Sequence, residues 1–293
     1  MLQVICGIGI LATKKRARCE LFKSPNHIAR FNKLKQKKFV SEKAFTLYED
    51  TISGVQEELE IRGCIKLNGL VCAANCSMAV EFLANAYQEC DHDPMFETTV
   101  RGVEVKFDEE TINNLLGTKS PLVCGVEKKR NELEMITTME QIGELERIKD
   151  ELCIENTPWL KYTKGFLPTK FGLNYMKPLA RTWATFFVHK LESCGNSSEF
   201  RLVKAVGVQA IMKGEEINVG RLVANDLWRI ANETKDTFTL GHCSIIRSLC
   251  KDVGVDVMRN DMVLKKGSNI NETWMKRIKN NLANRIREER VVL

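Results

Sequence analysis

Cys72, Cys76, Cys90 and His92 lie close together in the chain and supply the thiolate and imidazole groups that zinc prefers. Their spacing argues against a metal centre. Three residues separate Cys72 from Cys76 and one separates Cys90 from His92, unlike the C-x2-C and H-x3-H knuckles that bring two ligands onto one tetrahedral ion. They are read as buried or half-buried thiols, and so is the His242, Cys243 and Cys250 group, whose spacing is that of a helix packed on a core. A C-x2-C-x4-H-x4-C knuckle is absent. A nucleophile needs a base beside it, and His27, His92, His189 and His242 fall in no recognisable signature. No G-x-S-x-G, P-loop, G-x-G-x-x-G or D-[TS]-G motif occurs. No catalytic residue, metal site, cofactor or small-molecule substrate is therefore assigned, and the expectation is that the protein is not an enzyme.

The elements that would position any site are mostly helical. Ser41 can cap a helix carrying Phe45, Tyr48, Ile52, Val55 and Leu59 at spacings of three and four, ended by Gly63. A second helix is predicted over 77–89, with Met78, Phe82, Leu83, Ala86 and Tyr87 inward. Between Thr99 and Phe107 the period drops to two, which predicts a small strand pair bent at Gly102. Asp108 then caps a short helix that Gly117 ends. The stretch 118–156 reads as a loop around Pro121 and Gly125 followed by a weakly amphipathic surface helix. Pro158, Gly165, Pro168, Gly172 and Pro178 punctuate what reads as a packed loop anchored by Trp159, Tyr162, Phe166, Phe171 and Tyr175.

The second half predicts helices in close succession. One carries Leu179, Ala180, Trp183, Phe187 and Leu191. Ser198 can cap the next, Asn218 a third, and a fourth ends at Gly254. A last helix from about Asn271 sets Trp274, Ile278, Leu282 and Ile286 four apart, a winding stripe suited to a partner or a curved surface. The fold class is mainly α, a helical bundle with one small β-hairpin-like element inserted in the first half. Three parts are expected: a basic N-terminal arm over 1–38, a domain over 39–257 with its seam in 118–178, and a basic C-terminal helix over 258–293.

The 293 residues carry 44% hydrophobic and 28% charged side chains, which excludes a mostly disordered or collagen-like chain. No apolar run is long enough to span a membrane. The apolar start (Val4, Ile5, Ile8, Ile10, Leu11) precedes its basic cluster, the reverse of a secretory signal. It leaves a stop-transfer or interfacial anchor, or a nuclear-import-type cluster at Lys14–Arg18, as alternatives. Eleven cysteines, an odd number, are read as reduced thiols of an intracellular protein, nuclear or cytoplasmic.

Charge is unevenly placed. Residues 1–38 hold ten Lys/Arg against Glu20, and 265–293 hold eight against three acids, so the body between them is net acidic although the chain is +6. Basic ends on an acidic body suggest RNA or DNA contact through released counterions, with solvated tails as the plain alternative. The candidate contacts are Lys14, Lys15, Arg16, Arg18, Lys33, Lys35, Lys37 and Lys38 at one end and Lys276, Arg277, Lys279, Arg285 and Arg287 at the other.

Five segments in series resemble the plant transposon protein domain family, found in plant retrotransposon-related reading frames. They are 39–48 (FVSEKAFTLY), 80–87 (VEFLANAY), 100–117 (VRGVEVKFDEETINNLLG), 179–191 (LARTWATFFVHKL) and 216–230 (EINVGRLVANDLWRI). The resemblance covers roughly 39–257, with Leu83 standing where an aromatic residue is more usual. It implies a mostly helical, retrotransposon-derived, ORF1/gag-like product and brings no catalytic residues. Its motif residues read as structure: Arg101 and Gly102 at a bend, Ile112 and Asn113 in a capped helix, Trp183 as an anchor and Asn218 as an N-cap. Two functions follow as expectations. One is a gag-like protein that self-associates as a homo-oligomer and contacts nucleic acid through its ends. The other is a protein-interaction module or decayed transposon fragment that binds none.

Overall fold

The computed structural model describes residues 21–46, 54–89, 93–163, 167–193, 199–264 and 269–291. It is mainly helical, as the sequence predicts. The helices are α1 (Pro25–Leu34), α2 (Val55–Ile61), α3 (Ile65–Gly69), α4 (Cys76–Asn85), α5 (Glu109–Leu116), α6 (Gly125–Met135), α7 (Thr138–Leu152), α8 (Pro178–Phe186), α9 (Leu202–Met212), α10 (Val219–Asn232), α11 (Cys243–Asp252) and α12 (Glu272–Val291). A wider π turn, Phe187–Leu191, extends α8.

The strands are short: β1 (Phe45–Thr46), β2 (Ala74–Asn75), β3 (Glu97–Val100), β4 (Val103–Lys106), β5 (Trp159–Tyr162), β6 (Pro168–Gly172), β7 (Glu199–Arg201), β8 (Val263–Leu264) and β9 (Ile270–Asn271). The predicted hairpin is the antiparallel pair β3–β4, turned through Arg101 and Gly102, both at positive φ. Three further small sheets accompany it, namely β1–β9, β2–β8 and β5–β6–β7.

Two helices are apolar on nearly every side and are buried accordingly. Nine of the ten residues of α4 are buried, and it packs against α1, α10, α11 and β3. In α9 only Val203 and Met212 are exposed, and it packs against α6, α7, α8 and β6. The π turn touches both α9 and α10, so one apolar cluster runs from Phe22 through Phe82, Phe187 and Leu227 to Ile270. Gly207 is required where Phe187 crosses α9, because a Cβ there would lie 2.2 Å from the ring.

The family motif residues are structural. Asp108 Oδ1 accepts from the Thr111 amide to start α5, and Gly117 ends it at φ 70°. Asn218 Oδ1 accepts from the Arg221 amide at 3.0 Å, capping α10, and from Asn113 Nδ2 at 2.9 Å. Asn113 Oδ1 in turn accepts from the Gly220 amide at 2.8 Å. Gly220 permits this approach, since a Cβ would come within 2.3 Å of the Glu109 carbonyl oxygen.

Four local expectations are corrected. The stripe read as a helix from Ser41 is extended up to Thr46, because Phe45 pairs in parallel with Ile270 and Asn68 bonds both its amide and its carbonyl. Its positions Tyr48 and Ile52 lie outside the described residues, and α2 begins at Val55. Gly125 is not a loop residue but opens α6, its amide donating to the Glu216 carbonyl at 2.8 Å in a tight gap where a Cβ would lie 3.1 Å from that same oxygen. The aromatic stretch read as a loop contains β5 and β6, completed by β7, with Trp159, Phe171 and Phe200 stacked in series. Finally, α9 begins at Leu202 with Arg201 at its N-cap position, so Ser198, outside the described residues, is not its cap.

Candidate nucleic-acid interface

In the N-terminal segment Ser24 caps α1 and Pro25 occupies its first turn. The basic residues of α1 then turn onto the C-terminal end of α10, where unsatisfied carbonyls gather partial negative charge. Arg30 donates to the carbonyls of Ile230 at 2.9 Å and Glu233 at 2.8 Å, between the rings of Tyr87 and Phe238. Lys33 donates to the Thr234 carbonyl and pairs with Asp236 at 3.2 Å. Lys37 donates to the Asp236 carbonyl at 2.6 Å and lies over Phe238. Only Lys35 and Lys38 of the candidate contacts in this segment face fully outward. Lys14, Lys15, Arg16 and Arg18 lie outside the described residues.

The C-terminal helix is arranged the other way. Asn271 Oδ1 accepts from the Trp274 amide and starts α12. Met275 and Leu282 are buried and Trp274, Ile278 and Ile286 half-buried, so the predicted stripe, joined by Met275, lies on α8 and the turn Leu173–Tyr175. Lys276, Arg277, Lys279 and Arg287 are exposed on the other side. At about 100° per residue, Lys276, Lys279 and Arg287 fall within a sector of roughly 80° and span about 16 Å. Arg285 is half-buried, its guanidinium 4.6 Å from the centre of the Tyr175 ring.

Groupings that invite a catalytic reading are sealed inside the body. Asp226 Oδ2 accepts from His242 Nε2 at 2.9 Å and from the Ser193 amide at 2.7 Å, while Oδ1 accepts from Arg229. All three of Ser193, Asp226 and His242 are at most 3% exposed, and Ser193 Oγ has no hydrogen-bond partner, so it does not complete a triad. Burial pushes the Asp226 carboxyl up, but the His242 hydrogen bond and the Arg229 charge outweigh it and hold it at about 2. Sequence reasoning missed this pair, sixteen positions apart, because its only local signal is an aspartate on the inner face of α10. Arg101 likewise ties the hairpin turn to the 256–261 segment through the Asp256 carbonyl and Asp261.

Burial drives Cys64, Cys153 and Cys250 up to about 12 and His189 down to about 4, the latter assisted by Lys43 and Lys190. These groups are poor nucleophiles and bases at neutral pH. Cys76 is buried and Cys72 half-buried, both near the buried Cys243, and Cys90 and His92 lie outside the described residues. Among the described residues, no group of three or more His, Cys, Asp or Glu is placed to hold a metal ion. A groove of about 470 Å³ between α6, α7 and α9 is lined by Lys129 and Arg147, yet these pair with Glu215 and with Glu144 and Glu151. No described helix is long and apolar enough to cross a membrane.

Fold and site together define a mainly helical body in which the Asp226–His242 pair is buried and the face of α12 turned to solvent is basic. The family described as "Putative plant retrotransposon-related domain" matches residues 60–256, and the chain belongs to that family. The match begins after the FVSEKAFTLY segment and ends beside Val257. No curated protein and no solved structure matches the chain.

Proposed function

We propose that this retrotransposon-derived protein is a non-enzymatic, gag-like scaffold that self-associates and contacts RNA or DNA nonspecifically, in the nucleus or cytoplasm, without small-molecule substrate or cofactor. The observation that carries the reading is α12, which seats its apolar residues on the body and turns Lys276, Arg277, Lys279 and Arg287 to solvent. A row of cations on a rigid helix neutralises phosphates in sequence and releases their counterions. Self-association is supported by the exposed apolar side chains Val257, Met258, Met262 and Val263 ahead of the closing helix.

Removing the ends outright would strip Leu34, Met275 and Leu282 from the core, so charge reversal is the cleaner test. Full-length protein is compared with the K276E/R277E/K279E/R287E variant on single-stranded RNA and duplex DNA, by fluorescence anisotropy between 50 and 200 mM salt. The intact protein is expected to lose affinity by orders of magnitude over that range, and the variant to lose about 3 to 4 from the slope of log K against log salt. Affinity that ignores salt overturns the reading. One observation favours the alternative of a protein-interaction module: Arg30, Lys33 and Lys37 are engaged internally. Protein that stays monomeric and inert to both nucleic acids would establish it.

A further inference from the structure

Three contacts fix how α12 crosses α8. Phe186, at the end of α8, stacks with Phe45 of β1, and β1 pairs with β9 immediately ahead of α12. Tyr175, just ahead of α8, lies under Arg285 near the other end of α12. The two helices therefore run antiparallel, and Arg181 of α8 meets Arg277 of α12 between those ends.

Arg181 differs from the other embedded arginines. Arg30 has two carbonyls, Arg62 has Glu58 and two carbonyls, Arg101 has Asp261, Arg221 has Glu109, and Arg229 has Asp226. Nε and Nη1 of Arg181 are buried with no hydrogen-bond partner, which leaves Nη2 as the nitrogen open toward the surface. Burial and then the charge of Arg277 both push its pKa down, to about 10, so it remains a cation at neutral pH. A buried charged donor without a partner is among the costlier features a fold can carry, and a like charge beside it adds to that cost. An oxyanion set between the two guanidinium groups would offset both charges, accepting from Nη2 of Arg181 and from the planar fork of the exposed Arg277. Arg285, held by Tyr175 and by the side-chain carbonyl of Asn174, lies about 12 Å further along the same helix.

We propose that Arg181 and Arg277 form a phosphate-binding site between α8 and α12 that takes a backbone phosphate of the bound nucleic acid. This rests on the nucleic-acid reading above and adds to it a built site in place of diffuse surface charge.

The test follows the thermal midpoint of the full chain in inorganic phosphate against potassium chloride of equal ionic strength. It is then repeated with R181M, R181K and R277Q, and all four proteins are titrated with a 20-nucleotide uridine RNA. Phosphate is expected to raise the wild-type midpoint by about 2 to 4 °C over chloride. R181M should begin above wild type in chloride, since its unpaired charge is gone, and show no phosphate response. R181K should respond weakly because a shorter ammonium does not place its charge where Nη2 stands, and R277Q, altered at an exposed residue, should lose most of the response with its fold intact. On RNA, R181M and R277Q should each lower the salt slope by about 1.

Equal midpoints in phosphate and chloride, or a response that survives in both R181M and R277Q, overturn the site. If RNA still binds with a steep salt slope in that case, the broader reading stands without it. If phosphate stabilises through Arg181 while RNA does not bind, the nucleic-acid assignment falls and the site is one for a free oxyanion.

Discussion

Arg30 on α1 and Arg277 on α12 both come from strongly basic stretches, and both helices lie against the body. Arg30 is 7% exposed and donates to two carbonyls at the end of α10, whereas Arg277 stands at the surface beside another arginine. The difference arises from helical phase. Arg30 and Lys33 of α1, and Lys37 just beyond its end, lie on the side that meets the end of α10, so the cations are drawn to a helix C-terminus that attracts them. In α12, Met275, Ile278, Leu282 and Ile286 take the inward side and the cations are left outside. Net charge per segment is therefore a poor guide to a polyanion surface, and the outward charge is the quantity that matters.

Arg30→Met breaks the contrast most severely. It removes two charge-assisted hydrogen bonds and the stacking between Tyr87 and Phe238, and leaves the carbonyls of Ile230 and Glu233 short of a donor. We expect a loss of about 3 kcal/mol in urea unfolding. Lys276→Met, from the outward face of α12, should stay within about 0.5 kcal/mol. Equal losses in the two variants would mean that both basic ends serve the surface alike.

Acid sharpens the same contrast, because α10 is also held by the pair inside the body. The Asp226 carboxyl is kept at about 2, against 3.8 when unperturbed. A carboxyl lowered on folding adds stability that is fully present above its unfolded pKa and is lost as pH falls through its folded one. About 2 kcal/mol should therefore disappear between roughly pH 4 and pH 2. Urea midpoints across that range check it. The Asp226→Asn protein, less stable at neutral pH, should show a correspondingly flatter acid limb, while a K276E/K279E/R287E protein, altered only at exposed positions away from Arg181, should keep the wild-type slope.

Local signals were legible in the sequence and long-range ones were not. Asp108, Gly117 and Asn218 act within a few positions of themselves, and the β3–β4 hairpin needs only its own alternation. Phe45 has the right spacing for a helical stripe, but its partner is Ile270 and its backbone is held by Asn68, so tertiary pairing overrides the local pattern. Gly125 reads as a loop because glycine is a weak helix former, yet α6 starts at it, close against Glu215 and Glu216. The candidate site divides in the same way. The outward cations of α12 follow from periodicity once the apolar stripe is known. Arg181 is one charge in a helix read as core, and only the crossing of α12 exposes its lack of a partner.

The finest comparison lies between α1 and the turn that follows it. Lys37 Nζ bonds the Asp236 carbonyl and covers Phe238 with a side chain 14% exposed, whereas Lys33 is 37% exposed and pairs with an Asp236 that is 88% exposed. Exposed ion pairs are screened by solvent and salt and contribute little, while a partly desolvated hydrogen bond with a ring beneath it keeps most of its strength. Lys37→Met should cost about 1 kcal/mol and Lys33→Met roughly half of that or less. Raising the salt to 0.5 M should remove the ion-pair part of the Lys33 effect, leaving only its exposed hydrogen bond to the Thr234 carbonyl, and should leave most of the Lys37 one. If both effects vanish together, the end of α10 is held by long-range attraction, and α1 is electrostatically no different from α12.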